Sequence, residues 1–230
     1  WLMMAHKTGL SAQGLCDVYE FGSYQTAWAW LHKLRSVMIR QGRERLQGRV
    51  EVDEAYIGGV RKGARGRGAE GKTLVMVAVE GERGQRLGRV RLRCIGTITQ
   101  QAAESFITDY IEPGSQLVSD GLNAYDHIEE LGYVHNRNVL STGGDDALAQ
   151  LDHVHLVISL AKRWLDGTHH GAVKPSHLQA YLDEFAFRFN RRLSTHRGML
   201  FYRLVQQSVT TRPLSTKDLY KIKTLDVGGT

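Results

Sequence analysis

At residue 50 the hydrophobic pattern of this chain changes period, and that change constrains the fold more than any other feature. Upstream, apolar residues recur at helical steps. From Val50 to Ile57 they alternate with polar residues and are partly β-branched, the pattern of a strand with one buried face. Thr73–Val79 is an unbroken apolar run, as in a central strand covered on both faces. Gly88–Ile95 alternates again, with Val90, Leu92 and Cys94 on one side and Arg89, Arg91 and Arg93 on the other. Thr99 caps an expected helix to about Ile111, with Ala102, Phe106 and Tyr110 on one stripe. Gln116–Ser119 reads as a fourth strand ending at Asp120, 122–131 as a short helix stopped by Gly132, and Tyr133–Leu140 as a fifth strand. Residues 141–150 read as loop. Helices are expected from about Val154 to Asp166, stopped by Gly167, and from Pro175 to about Arg192. The order is strand, strand, strand, helix, strand, helix, strand, helix, without internal repeats. That is an α/β chain with a mixed five-stranded sheet and helices on its faces.

Before residue 50 the chain reads as two helices around a tight turn. Ser11 caps the first, which runs through Tyr19. Glu20-Phe21-Gly22 is the break, with Gly22 able to take a left-handed conformation. Ser23 caps the second, where Ala27, Trp30, Leu31, Leu34 and Met38 form one apolar face. Gln25, Trp28, His32 and Arg35 are then expected to point away from the core. This is the pattern of a helix-turn-helix, a DNA-reading unit, and equally of a plain helical hairpin. Polar residues 41–49 read as a linker.

The order of elements from residue 50 matches the RNase H-like fold, an analogy that says nothing by itself about activity. It does place two acids. Asp53 lies within the first strand and Asp120 just past the end of the fourth, and adjacent parallel strands bring two such carboxylates side by side. Close like charges need a cation between them. Hard oxygen donors suit Mg²⁺ or Mn²⁺, and two such ions can clamp an in-line phosphoryl transfer. Taken singly, Asp53 reads as a solvent-facing strand acid and Asp120-Gly121 as a turn. A third ligand is expected from the helix after the fifth strand, where His155, Ser159 and Lys162 share one face.

Charge is uneven along the chain. Residues 1–49 carry seven basic and three acidic side chains, 50–150 eleven and fifteen, and 151–230 twelve and six. An acidic centre between basic ends suits a metal-holding core in a polyanion-binding frame. Arg61, Lys62, Arg65, Arg67 and Lys72 fall among six glycines between residues 58 and 72. That loop either orders on a phosphate backbone or is a solubilising surface. It is no P-loop, because no Gly-Lys-Ser/Thr closes it. Histidines cluster at 153, 155, 169, 170 and 177, but irregular spacing and the lack of a nearby cysteine argue against a zinc site. Leu178, Tyr181, Leu182, Phe185 and Phe189 form a core stripe, with Arg188, Arg191 and Arg192 at its border. No apolar stretch is long enough to span a bilayer, and no charged-then-apolar leader opens the chain. The two cysteines, Cys16 and Cys94, are far apart, which fits a reducing cytoplasm. Trp1 in place of Met fits a chain that has lost an N-terminal segment.

Several segments together carry a resemblance. They are Val50-Glu51-Val52-Asp53-Glu54-Ala55-Tyr56-Ile57-Gly58-Gly59, Val118-Ser119-Asp120-Gly121 and the run from His155 to Trp164. Beyond these come Gly167-Thr168-His169-His170, the run from His177 to Phe185, and Phe187-Arg188-Phe189-Asn190-Arg191-Arg192. Over about residues 1–205 the chain resembles bacterial insertion-sequence transposases of the DDE class, in the ISXO-like branch. The resemblance implies an RNase H-like core that cuts and joins DNA strands, at element ends and at a target, with two divalent ions, Mg²⁺ or Mn²⁺. It assigns Asp53 and Asp120 as the first two catalytic acids, and Lys162 as the basic residue two turns after the third. The third position, usually Glu, falls on His155. Either His155 is a ligand, one that favours Mn²⁺, or it carries a proton. Asp145, Asp146 and Asp152 are reserve carboxylates. Lys162, Arg163, His169 and Arg191 join the basic loop as expected DNA contacts. The family's N-terminal zinc ribbon has no counterpart here. The expected organisation is a helical, helix-turn-helix-like unit at 1–45, a catalytic domain at 50–205 and a tail at 206–230. The expected partner is DNA, bound by a homo-oligomer. A decayed DNA-binding protein and an RNase H-like nuclease without joining activity are the alternatives.

Overall fold

The structure, a computed structural model, describes residues 1–40, 42–58, 72–138, 151–169, 173–196 and 198–221. Five strands form one sheet: β1 (Arg49–Gly58), β2 (Lys72–Glu80), β3 (Val90–Ile95), β4 (Gln116–Asp120) and β5 (Val134–Asn138), in the order β3-β2-β1-β4-β5. β1, β2 and β3 pair antiparallel, while β4 and β5 run parallel to β1. This is the RNase H-like arrangement that the sequence pattern implies. β2 lies inside the sheet, and its residues Leu74–Val79 are buried without a break, which is why its sequence shows no alternation.

Helices α1 (Leu2–Ala5), α2 (Ala12–Tyr19) and α3 (Tyr24–Ser36) precede the sheet. α4 (Gln100–Tyr110) packs on one face, where Phe106, Ile107, Tyr125 and Ile128 cover Val50, Val52, Met76 and Ala78. α5 (Asp152–His169) and α6 (Pro175–Phe189) cover the other, against Ala55, Ile57, Val75, Val77 and Val79. α7 (Gly198–Thr210) and α8 (Thr216–Lys221) end the described chain, with Leu204 and Leu219 buried. Among the described residues no helix is long and apolar enough to cross a membrane.

Several local expectations change. Residues 122–131 form two short 3₁₀ turns, Asn123–Tyr125 and Ile128–Leu131, in place of one helix. Gly167 does not stop α5, which runs on to His169. Ser11 caps α2 as expected, its hydroxyl accepting from the Gly14 N–H at 3.0 Å. The left-handed residue of the α2–α3 turn is Glu20, at φ 52°, and not Gly22.

The largest correction concerns α3. His32 and Arg35, expected to face out and read DNA, are 2% and 1% exposed, whereas Trp30, counted with the core, is 58% exposed. The reason is a partner far away in sequence. Glu184 of α6, itself fully buried, accepts from Arg35 Nε at 2.9 Å, and the guanidinium lies over the Tyr181 ring at 4.3 Å. Arg188 also donates to Glu184, at 2.9 Å, and to backbone carbonyls of Met3 and His6. One carboxylate thereby ties the N-terminal helices to the core. Burial, reinforced by Arg35, His177 and His169, holds the His32 imidazole neutral, down to about 2.

Candidate functional site

β1 and β4 are parallel neighbours with Glu51 opposite Val118. Two residues further along both strands, the same register sets Asp53 beside Asp120. Here β4 ends while β1 runs on to Gly58 paired only with β2, and this carboxyl end of the parallel strands is where α/β sheets place their ligands. Asp53 Oδ1 accepts from the Glu54 N–H at 2.8 Å, and Asp120 Oδ1 from the Leu122 N–H at 3.0 Å. Both carboxylates are therefore fixed by backbone donors of their own segments.

A third carboxylate joins them. Alternation sends Glu54 off the opposite face from Asp53, yet carboxylate oxygens of Asp53, Glu54 and Asp120 all lie within 4.8 Å of one another. The missing stretch of β4 beside Glu54 leaves room for its longer side chain. Tyr125, fully buried, donates its hydroxyl to Glu54 Oε2 at 3.2 Å. The turn that begins at Asp120 thus also delivers the phenol that holds Glu54. Burial pushes the Tyr125 hydroxyl well above its ordinary range, and Glu54 adds to that, so the phenol stays a donor.

α5 brings His155 from the other side, with Nε2 3.3 Å from Asp53 Oδ2. Its placement depends on Glu51. That residue shares a face with Asp53, is 2% exposed, and accepts from the Val154 N–H at 2.9 Å with its Oε2. Glu51 Oε1 accepts from Arg49 at 2.6 Å. A strand carboxylate therefore satisfies an unpaired N–H at the start of α5 and docks that helix one residue before His155.

Burial raises the Asp53 carboxyl above its ordinary range; the Glu54 N–H and His155 pull it back, and Asp120 pushes it up again. Three acids this close repel unless a cation lies among them. Carboxylate oxygens with one imidazole form a donor set that a hard divalent ion fits, and the partial exposure of Asp53 and His155, 15% and 45%, leaves access for water and substrate.

The other expected residues are placed as follows. Ser159 and Lys162 stand exposed on the same face of α5 as His155, with Arg163 exposed beside them. Asp152 is exposed in the first turn of α5 and is not among the clustered carboxylates. His169 packs its ring on Tyr181 at 4.3 Å and Trp164 at 5.5 Å. Arg191 lies over the Phe187 ring at 4.0 Å, near the far end of α6. Lys72 is exposed at the start of β2, opposite Gly58. Arg61, Lys62, Arg65, Arg67, Asp145, Asp146 and His170 lie outside the described residues. Sequence reasoning passed over Glu54, Glu51 and Tyr125. The alternation puts Glu51 on the polar face with Asp53, and only the packing of α5 over that face buries it and makes it need a partner.

A family described as the ISXO2-like transposase domain matches residues 45–190. No curated protein matches at a significant level. Solved structures show distant similarity. One is an intasome of simian T-cell lymphotropic virus in complex with the PP2A regulatory subunit B56 gamma, at 14% identity, covering 83% of this chain and 74% of that one, with TM-score 0.43. A second is the catalytic core domain of BIV integrase, at 14% identity, 71% and 97% coverage and TM-score 0.41. A third is the Mos1 strand transfer complex, at 12% identity, 90% and 76% coverage and TM-score 0.32.

Proposed function

The chain belongs to the ISXO2-like transposase domain family, and from that membership we propose that it cuts and joins DNA strands at the cleft between β1 and β4. Asp53, Asp120 and His155 would hold divalent metal there, and Glu54 would complete the set. The observation that carries this reading is the convergence of three carboxylates within 4.8 Å, with an imidazole 3.3 Å from one of them. A histidine at the third position brings no negative charge; Glu54 supplies it. Mg²⁺ or Mn²⁺, as one ion or a pair, would acidify the attacking hydroxyl and neutralise charge on the phosphate.

The chain's own groups then act in order. Asp53 and Asp120, fixed by backbone N–H groups, set the position of the cleavable phosphate. Water attacks phosphorus, the P–O3′ bond breaks, and the element's 3′-hydroxyl is freed. That hydroxyl attacks a target phosphodiester, one P–O bond forming as another breaks. Lys162, on the exposed face of α5, steadies a phosphate beside the site. Lys72 and Arg163 are exposed, and this reading assigns phosphate contacts to them and to Arg61, Lys62, Arg65 and Arg67 of the basic loop. A homo-oligomer holds the two element ends together, with residues 50–205 as the catalytic domain of each copy.

The test uses the full chain, Mn²⁺, a supercoiled target plasmid and labelled duplexes carrying the terminal DNA of the element that encodes it. The expected result is a cleaved end followed by label joined to plasmid. Cleavage without joining would make the protein a nuclease. Binding without cleavage would make it a decayed DNA-binding protein. Either outcome contradicts the proposal.

A further inference from the structure

Two strands away from β1, along the outer edge of β3, a groove of about 730 Å³ is lined by six arginines: Arg40, Arg43, Arg89, Arg91, Arg191 and Arg203. They come from three stretches far apart in sequence. The segment after α3 brings Arg40 and Arg43, the start of β3 and the residue before it bring Arg91 and Arg89, and Arg191 just past α6 and Arg203 within α7 complete the set. The basic N-terminal and C-terminal parts of the chain, separated by an acidic middle, thus meet at one surface. Glu44 is the only acid on the groove wall among the described residues, and its side chain is 78% exposed.

The groove is built, not merely charged. Asn190, at the C-cap of α6, clamps the edge of β3, accepting from the Val90 N–H at 2.7 Å and donating to the Val90 carbonyl at 3.2 Å. Arg43 lies over the Tyr110 ring at 4.9 Å, and Arg89 is held by Glu80 at 2.7 Å. Arg91 is 4% exposed and donates to the carbonyls of Val90 and Glu44, at 3.0 and 2.6 Å. Its Nε has no hydrogen-bond partner among the described residues. Burial, then Arg43 and Arg89, disfavours the charge on Arg91; burial, then Arg203 and Arg40, does the same for Arg191. Like charges drawn together this way are stabilised by a polyanion, and guanidinium forks match phosphate oxygens.

We propose that this groove binds the phosphodiester backbone of the DNA duplex, as a second contact surface beyond the catalytic cleft. It rests on the reading of the chain as a DNA-processing protein. The groove lies on the outer edge of β3, two strands from β1 in the sheet. The surface is sequence-neutral: it holds and orients DNA and does not read bases.

The test is the salt dependence of binding, measured by fluorescence anisotropy of a labelled duplex of about 30 base pairs with the full chain. Arg40→Ala combined with Arg203→Ala alters two exposed side chains, so the fold is retained. The control, Lys7→Ala with Lys217→Ala, removes equal charge elsewhere. For wild type, log affinity falls steeply with log KCl. The arginine pair is expected to flatten that slope by about 1–2, near 0.9 for each lost phosphate contact, and to weaken binding about tenfold at 100 mM KCl. The control is expected to leave the slope unchanged. A steep wild-type slope with an unaltered arginine-pair slope would overturn the groove alone. Equal flattening by both pairs would also overturn it, because net charge would then account for the effect. No measurable wild-type binding would overturn the DNA-processing reading itself.

Discussion

Asp53→Asn and Asp120→Asn are each expected to lower DNA strand cleavage by about a thousandfold or more while sparing DNA affinity. Residues that only orient metal ligands cost roughly 10–100-fold when removed, and a ligand itself costs more. Asparagine keeps the size of each side chain and its acceptor for the Glu54 or Leu122 N–H. What it removes is the charge. Cleavage rate and duplex affinity, measured on the same preparations, separate the two roles. A tenth or more of wild-type cleavage in either variant would remove that acid from the site.

Glu184→Ala is expected to produce the largest loss of stability among single changes outside the cleft. The substitution leaves Arg35, 1% exposed, without its carboxylate, and frees Arg188 from the same partner. Breaking a buried pair by deleting one member costs about 3–5 kcal/mol. For a chain of this size that corresponds to a drop in melting temperature of about 10 °C. Glu184→Gln, which retains an acceptor, is expected to lose less. Thermal melting followed by circular dichroism checks both. A Glu184→Ala variant melting within about a degree of wild type would show that the tie carries little weight.

The contrast between these two sites explains what was legible in the sequence. The alternation of Val50–Ile57 marks Asp53 within a strand, and the unbroken run of β2 marks that strand as interior; the order of elements, matched to the RNase H-like fold, is what sets Asp53 beside Asp120. Such information is local and periodic. α3 misled because its decisive contact is with Glu184, 149 residues away from Arg35. A period of 3.6 counts Trp30 as core and Arg35 as surface, and a buried ion pair with a ring beneath it reverses both. Glu54 escaped for a related reason. Strict alternation sends it away from Asp53, and only the end of β4 and the Tyr125 hydroxyl, 71 residues distant, allow it to join the cluster. The arginine groove is illegible for the same cause, because its members become neighbours only after three segments pack.

The most direct test of the account is the anomalous diffraction of manganese in crystals of the full chain soaked with Mn²⁺. The predicted result is a manganese peak in the β1–β4 cleft, bonded to carboxylate oxygens of both Asp53 and Asp120, with Glu54 and His155 at its border. Manganese bound only elsewhere, or no peak in the cleft at saturating Mn²⁺, would contradict it.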